Sequence, residues 1–102
     1  MFTIFPCFIY NGIDKIPGLV QLMEKSWIFT VSGFENTNLN IIQNFKDIQK
    51  IQYFKLFNLE VCGLKITDIY GKEAVLILES YKELYNALKL ATGVLLIQFT
   101  ND

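Results

Sequence analysis

The sequence predicts an α+β fold: a single domain, 1–102, with a mixed or mostly antiparallel sheet packed with about three helices in the order βαβαβββαβ. Three observations carry this reading. At 102 residues the chain has room for one hydrophobic core and no second one. Runs rich in aromatic and β-branched residues alternate with stretches whose apolar residues recur every three to four positions. Turn residues (Asn11-Gly12, Gly33, Gly71 and Thr92-Gly93) punctuate the two kinds of segment.

The elements follow in order. "FTIFPCFIY" reads as a strand, and Pro6, which has no N–H, places it at an edge or at a bulge. "IPGLVQLMEKSW" reads as a short helix, with Pro17 at its first position and Ile16, Leu19, Val20, Met23 and Trp27 on one face. "WIFTVSGF" is the second strand. "ENTNLNIIQNFKDIQKI" reads as a helix capped by Asn36 or Asn38, with Ile41, Phe45 and Ile48 along one side. "YFKLFNLEV" and "LKITDI" are strands, and "IYGKEAV" turns through Gly71. "AVLIL" reads as a buried strand, because the "SYKE" that follows is a capping box: Ser80 and Glu83 satisfy each other's backbone donors at a helix start. That helix runs over 81–91 with Tyr81, Leu84, Tyr85, Leu88 and Ala91 on its apolar face. Gly93 stops it. "VLLIQF" closes the chain as a strand whose near-continuous apolar run predicts an interior position.

The composition excludes several chemistries. There are nine Lys, no Arg and no His. Without imidazole there is no Ser-His triad, no His metal ligand and no switch near neutral pH. Without guanidinium there is no bidentate phosphate clamp. The lysines are spread along the chain and net charge is −1, so nucleic-acid binding lacks its usual source and is not expected. The abundance of Ile, Asn, Lys, Phe and Tyr reflects an AT-rich genome. Cys7 and Cys62 form no CxxC. They are expected as buried free thiols, a single Cys7–Cys62 disulfide being the alternative. The glycines form no phosphate-binding loop, and no cofactor or metal is expected. No apolar run approaches the ~18 residues of a membrane span, and the N-terminal run lacks the basic start of a signal peptide. A cytoplasmic protein is expected.

"DIYGKEAVLILESYK", residues 68–82, supports a catalytic reading. From residue 38 onward the α-β-β-β-α-β order resembles the core of the PD-(D/E)xK nuclease superfamily. That resemblance implies Asp68 and Glu79 as carboxylates for Mg²⁺ and Lys82 as the lysine that steadies the attacking water. The spacing departs from the family: "ESYK" separates Glu79 and Lys82 by two residues where the family has one.

A second resemblance covers about a third of the chain. "GLKITDIYGKEAV" followed by "SYKELYNALKLATGVLLIQF" is similar to the C-terminal half of a PDZ domain. It implies a peptide groove lined by Tyr81 and Tyr85, with "SGF" at 32–34 as the carboxylate-binding loop. Leu64 after Gly63 and Tyr81 in the place of the groove histidine depart from that family.

The leading expectation is a small non-enzymatic module that binds another protein, or a second copy of itself. It would be an accessory or inhibitor protein of a virus or mobile element, or a subunit of an assembly. Hydrophobic residues make up 52% of the chain and charged ones 19%, which is more apolar surface than a domain of this size hides. The predicted contact surface is a sheet edge or the aromatic first strand, with Phe2, Phe5, Phe8 and Tyr10, together with Tyr81 and Tyr85.

Overall fold

A computed structural model of the chain describes residues 3–10, 14–32, 40–56, 61–94 and 96–98. The order is β1 (Thr3–Tyr10), β2 (Lys15–Leu22), β3 (Ser26–Val31), β4 (Ile41–Asn44), a single 3-10 turn (Phe45–Asp47), β5 (Ile48–Leu56), β6 (Val61–Asp68), β7 (Glu73–Ile77), α1 (Tyr81–Thr92) and β8 (Leu96–Gln98). The eight strands form one sheet in the order β4-β3-β2-β1-β7-β6-β5-β8. All neighbours are antiparallel except β5 and β8, which run parallel.

The three-helix expectation is therefore corrected: the described residues hold one α-helix. Two segments read as helices are strands, and the cause differs between them.

In 15–22 both periods fit the apolar residues. Gly18, Val20 and Leu22 are buried at spacing two, while Pro17 and Leu19 face out. A glycine interior to a helix costs about 1 kcal/mol. In β2, Gly18 instead lets the chain come close to Phe29 and to the Thr30 carbonyl oxygen of β3. Long-range pairing with β1 over eight residues decides the outcome, and no local pattern reports it.

In 41–52 the helical spacing is real but arises otherwise. Phe45, Ile48 and Ile51 are all buried, three residues apart. The 3-10 turn has three residues per turn, which brings Phe45 and Ile48 to one side. A register shift between Ile48 and Lys50 then resets the face, so Ile51 points inward too. The proposed caps Asn36 and Asn38 lie outside the described residues, as do the turn at Asn11-Gly12 and Gly33.

Other expectations hold. Over their described residues, the strands read at 2–10, 27–34 and 64–69 correspond to β1, β3 and β6, and β7 runs into α1 near Ser80. Gly71 and Gly93 both have positive φ, at the turn and at the helix end. Ser80 precedes the helix, but its side chain makes no capping hydrogen bond, so the capping box is not formed. β8 lies at an edge of the sheet, not in its interior.

The sheet has a seam. β1 and β7 pair at two positions only, Phe8 with Ile77 and Ile9 with Leu76. Pro6 sits on the part of β1 that has β2 alone as its neighbour, where a missing N–H costs no ladder bond on the other side. On either side of the seam the inward faces share one core. Phe5, Cys7, Ile9, Val20, Trp27 and Phe29 come from one half, and Ile51, Leu64, Ile66 and Leu76 from the other. Leu84 and Leu88 of α1 close it. Among the described residues no helix is long and apolar enough to cross a membrane.

Candidate functional site

The seam opens on the outside of the sheet into a cleft of about 670 Å³. Its geometry follows from β alternation. Phe5, Cys7 and Ile9 point into the core, so Ile4, Pro6 and Phe8 point out. Across the ladder, Pro17 lies opposite Phe8 and Leu19 opposite Pro6, and both face out as well. Pro6, Phe8, Pro17 and Leu19 line one wall of the cleft, and Ile77 with Leu78 lines the other. Ile77 is buried yet stands apart from the main core cluster, since its side of β7 is the cleft side. Lys15, Glu79 and Ser80 also line it, and the Lys15 Nζ stands 5.4 Å from the centroid of the Phe8 ring.

The apolar surface continues beyond the cleft. Ile28 lies opposite Ile42, and Gln21 lies between Ile4 and Ile28, so one row runs from β1 to β4. Leu19 is 43% exposed and Ile42 63%. No second layer covers this face among the described residues.

The predicted site residues fall in different places. Phe8 lies on the outer face, whereas Phe5 is a core residue and offers nothing to a partner. Tyr10 is half-buried, and Phe2 lies outside the described residues. Tyr81 packs on Tyr53 with ring centroids 4.9 Å apart, and burial beside Tyr81 raises the Tyr53 phenol above its usual range. Tyr81 and Tyr85 both pack against the core. The two tyrosines thus knit α1 to the sheet. Of the "SGF" loop, Ser32 is exposed and Gly33 and Phe34 lie outside the described residues.

Asp68, Glu79 and Lys82 are not brought together. Asp68 sits at the end of β6. Its Oδ1 accepts hydrogen bonds from the backbone N–H groups of Tyr70 and Lys72, both at 2.9 Å, which fixes the turn. Glu79 lies past the other end of β7, roughly 20 Å away by strand rise. Lys82 is exposed on the first turn of α1. From residue 41 on, the helix on which the nuclease resemblance relied is β4, the 3-10 turn and the start of β5, and among the described residues no three acid or thiol groups cluster to hold a metal.

Neither cysteine is paired. Cys7 is buried, and burial pushes its thiol up to about 12. Cys62 is half-buried beside the cleft. With Ellman's reagent at pH 8, the native protein is expected to titrate rapidly at Cys62 alone, Cys7 reacting only after unfolding. Two equally fast thiols would contradict the burial of Cys7. Since its folded value lies above the unfolded one, the stability tied to Cys7 is intact below the unfolded value. It is lost as pH rises toward about 12.

Sequence reasoning missed Pro17, Leu19, Ile42 and Ile77. The period-two alternation in 15–22 held the signal, and the helical reading obscured it.

The chain is similar in fold to solved structures. Against a chain in "Structure of the Spt16D Pob3N heterodimer" the TM-score is 0.74 at 18% identity, covering 100% of this chain and 56% of that one. Against the C-terminal domain of an unknown protein from Leishmania infantum it is 0.72 at 14% identity, covering 87% and 80%. This chain thus spans little more than half the length of the first. Identities this low show a shared fold. No protein-family model and no curated protein matches the chain.

Proposed function

We propose that the chain is a non-enzymatic protein-interaction module whose contact surface is the outer face of β1–β4 with the adjoining seam cleft. One observation carries this reading. The alternation that fills the core from one side of the sheet places Ile4, Phe8, Leu19 and Ile42 on the other side, in register and exposed. Covering a half-exposed leucine or isoleucine is worth about 1 kcal/mol each, so this face favours association. A chain of similar fold occurs in a heterodimer, which supports the same reading. The catalytic alternative has lost its constellation, since Asp68 is engaged in a turn far from Glu79.

The test is the double variant Leu19→Asp/Ile42→Asp, both changes lying on exposed positions that leave the core intact. A partner retained from the native source by the wild-type chain, or a second copy detected by sedimentation, is expected to be lost at least about tenfold in the variant. Circular dichroism should stay unchanged. Equal retention by the variant, or a wild-type chain that stays monomeric and retains nothing, would sink the proposal.

A further inference from the structure

Lysines that are scattered in the sequence gather at one pole of the fold. The 3-10 turn Phe45–Asp47 is the hub. The Phe45 N–H donates to the Lys25 carbonyl at 2.9 Å, and the Ile69 N–H donates to the Asp47 carbonyl at 2.8 Å. The end of α1 reaches the same place: Lys25, Lys46 and Phe45 line a second cleft, of about 580 Å³, with Ala91 and Thr92. Lys72 sits in the turn held by Asp68, Lys50 lies just past the bulge in β5, and Lys89 is in the last turn of α1. All five lysines are exposed, and none is ion-paired among the described residues.

The acids of this pole do not cancel them. Glu24 lines the cleft, Asp47 is half-buried, and Asp68 is buried under two backbone hydrogen bonds. Glu73 is held by Lys65 at 3.3 Å. Among the described residues this pole thus sets five lysines against Glu24, Asp47 and Asp68, Glu73 being paired with Lys65, so positive charge is in excess there. Large apolar side chains stand among these lysines: Tyr70 is 76% exposed on the rigid turn, beside Ile69, and Leu90 is 90% exposed next to Lys89.

We propose that this pole is a second docking surface and that it binds an acidic, extended segment of a partner polypeptide bearing apolar side chains between its carboxylates. Charge complementarity selects the sign of the partner. Shape selects a chain, because Lys25 and Lys46 flank a concave cleft that a flat bilayer cannot enter. The exposed side chains of Ile69 and Leu90 among the lysines suit a polypeptide that carries apolar side chains better than a phosphate chain. Tyr70 is a pre-organised anchor, since the Asp68 carboxylate fixes its turn before any partner arrives. This surface meets the outer face of β1–β4 only at Asn44, which lines the cleft at the end of β4, and none of its lysines belongs to that face.

The experiment is fluorescence anisotropy on the full chain with a short labelled peptide of glutamates interspersed with leucines. The expected result is saturable binding that weakens at least about tenfold in Lys25→Glu/Lys46→Glu and falls steeply between low and physiological salt. The Leu19→Asp/Ile42→Asp variant should bind the peptide like wild type, which separates a failure here from a failure of the apolar face. The proposal is overturned if no anisotropy change occurs at low salt, or if a glutamine version of the peptide binds equally. It is also overturned if either variant departs from its expected behaviour, or if phosphatidylserine vesicles or single-stranded DNA bind more tightly than the peptide.

Discussion

Gly63→Ala is expected to remove about 3 kcal/mol or more of stability and to lower Tm by at least about 12 °C, much of what a domain of this size holds. Gly63 lies in β6 between Phe54 of β5 and Ile77 of β7. A Cβ added there would run into the Leu76 carbonyl group and meet the Ile77 Cα at 3.0 Å. Those obstacles are backbone, so no side chain can swing aside. β6 would have to leave β7, and the pairs from Gly63–Ile77 to Thr67–Glu73 would loosen together. Ordinary overpacking costs about 1–3 kcal/mol where side chains yield, and here they cannot. Thermal melts followed by circular dichroism decide it. A variant melting within a few degrees of wild type would show that β6 and β7 are not this close.

Trp27→Ala is expected to cost about 3–5 kcal/mol through the cavity alone. Trp27 is fully buried in β3, and its indole N–H donates to the Gln43 Oε1 at 3.1 Å. Removing the ring also strands a buried amide, which adds about 1–3 kcal/mol. Trp27→Phe separates the two effects, since it keeps most of the volume and loses the hydrogen bond. Adding Gln43→Leu to Trp27→Phe should then recover part of the loss, because both polar partners have gone. Denaturant midpoints of the two single variants and the double variant give the coupling, expected at about 0.5–3 kcal/mol. A coupling near zero would mean the bond carries no weight.

Gln43 shows how a site can be hidden from sequence. In a helix over 35–51 it would be one polar residue near Asn40, Asn44 and Asp47 on a solvated side. In β4 it is an inward position, tolerated in the core because Trp27 lies opposite it in the ladder and supplies a donor. The pairing of residues 27 and 43 is non-local, so the pattern around either one is silent about it. Ile48 and Ile51 mislead for a related reason. The bulge between Ile48 and Lys50 imitates a helical repeat inside a strand. Phe8 and Phe5 differ by one fact, the parity of β1, which is fixed once Cys7 and Ile9 are known to face the core.

What the amino-acid order determined by itself were the features with local causes. These are the aromatic strands β1 and β3, the turn at Gly71, the short strand running into α1, and the stop at Gly93. Each depends on φ preferences or on the spacing of residues close along the chain. The absence of His and Arg also stands on composition alone. Tertiary structure alone decided that 15–22, 41–44 and 48–52 are strands, that the outer face of β1–β4 is apolar, and that five distant lysines share one pole. Strand pairing and charge clustering join residues tens of positions apart. Their free energy comes from partners that no local window of sequence contains.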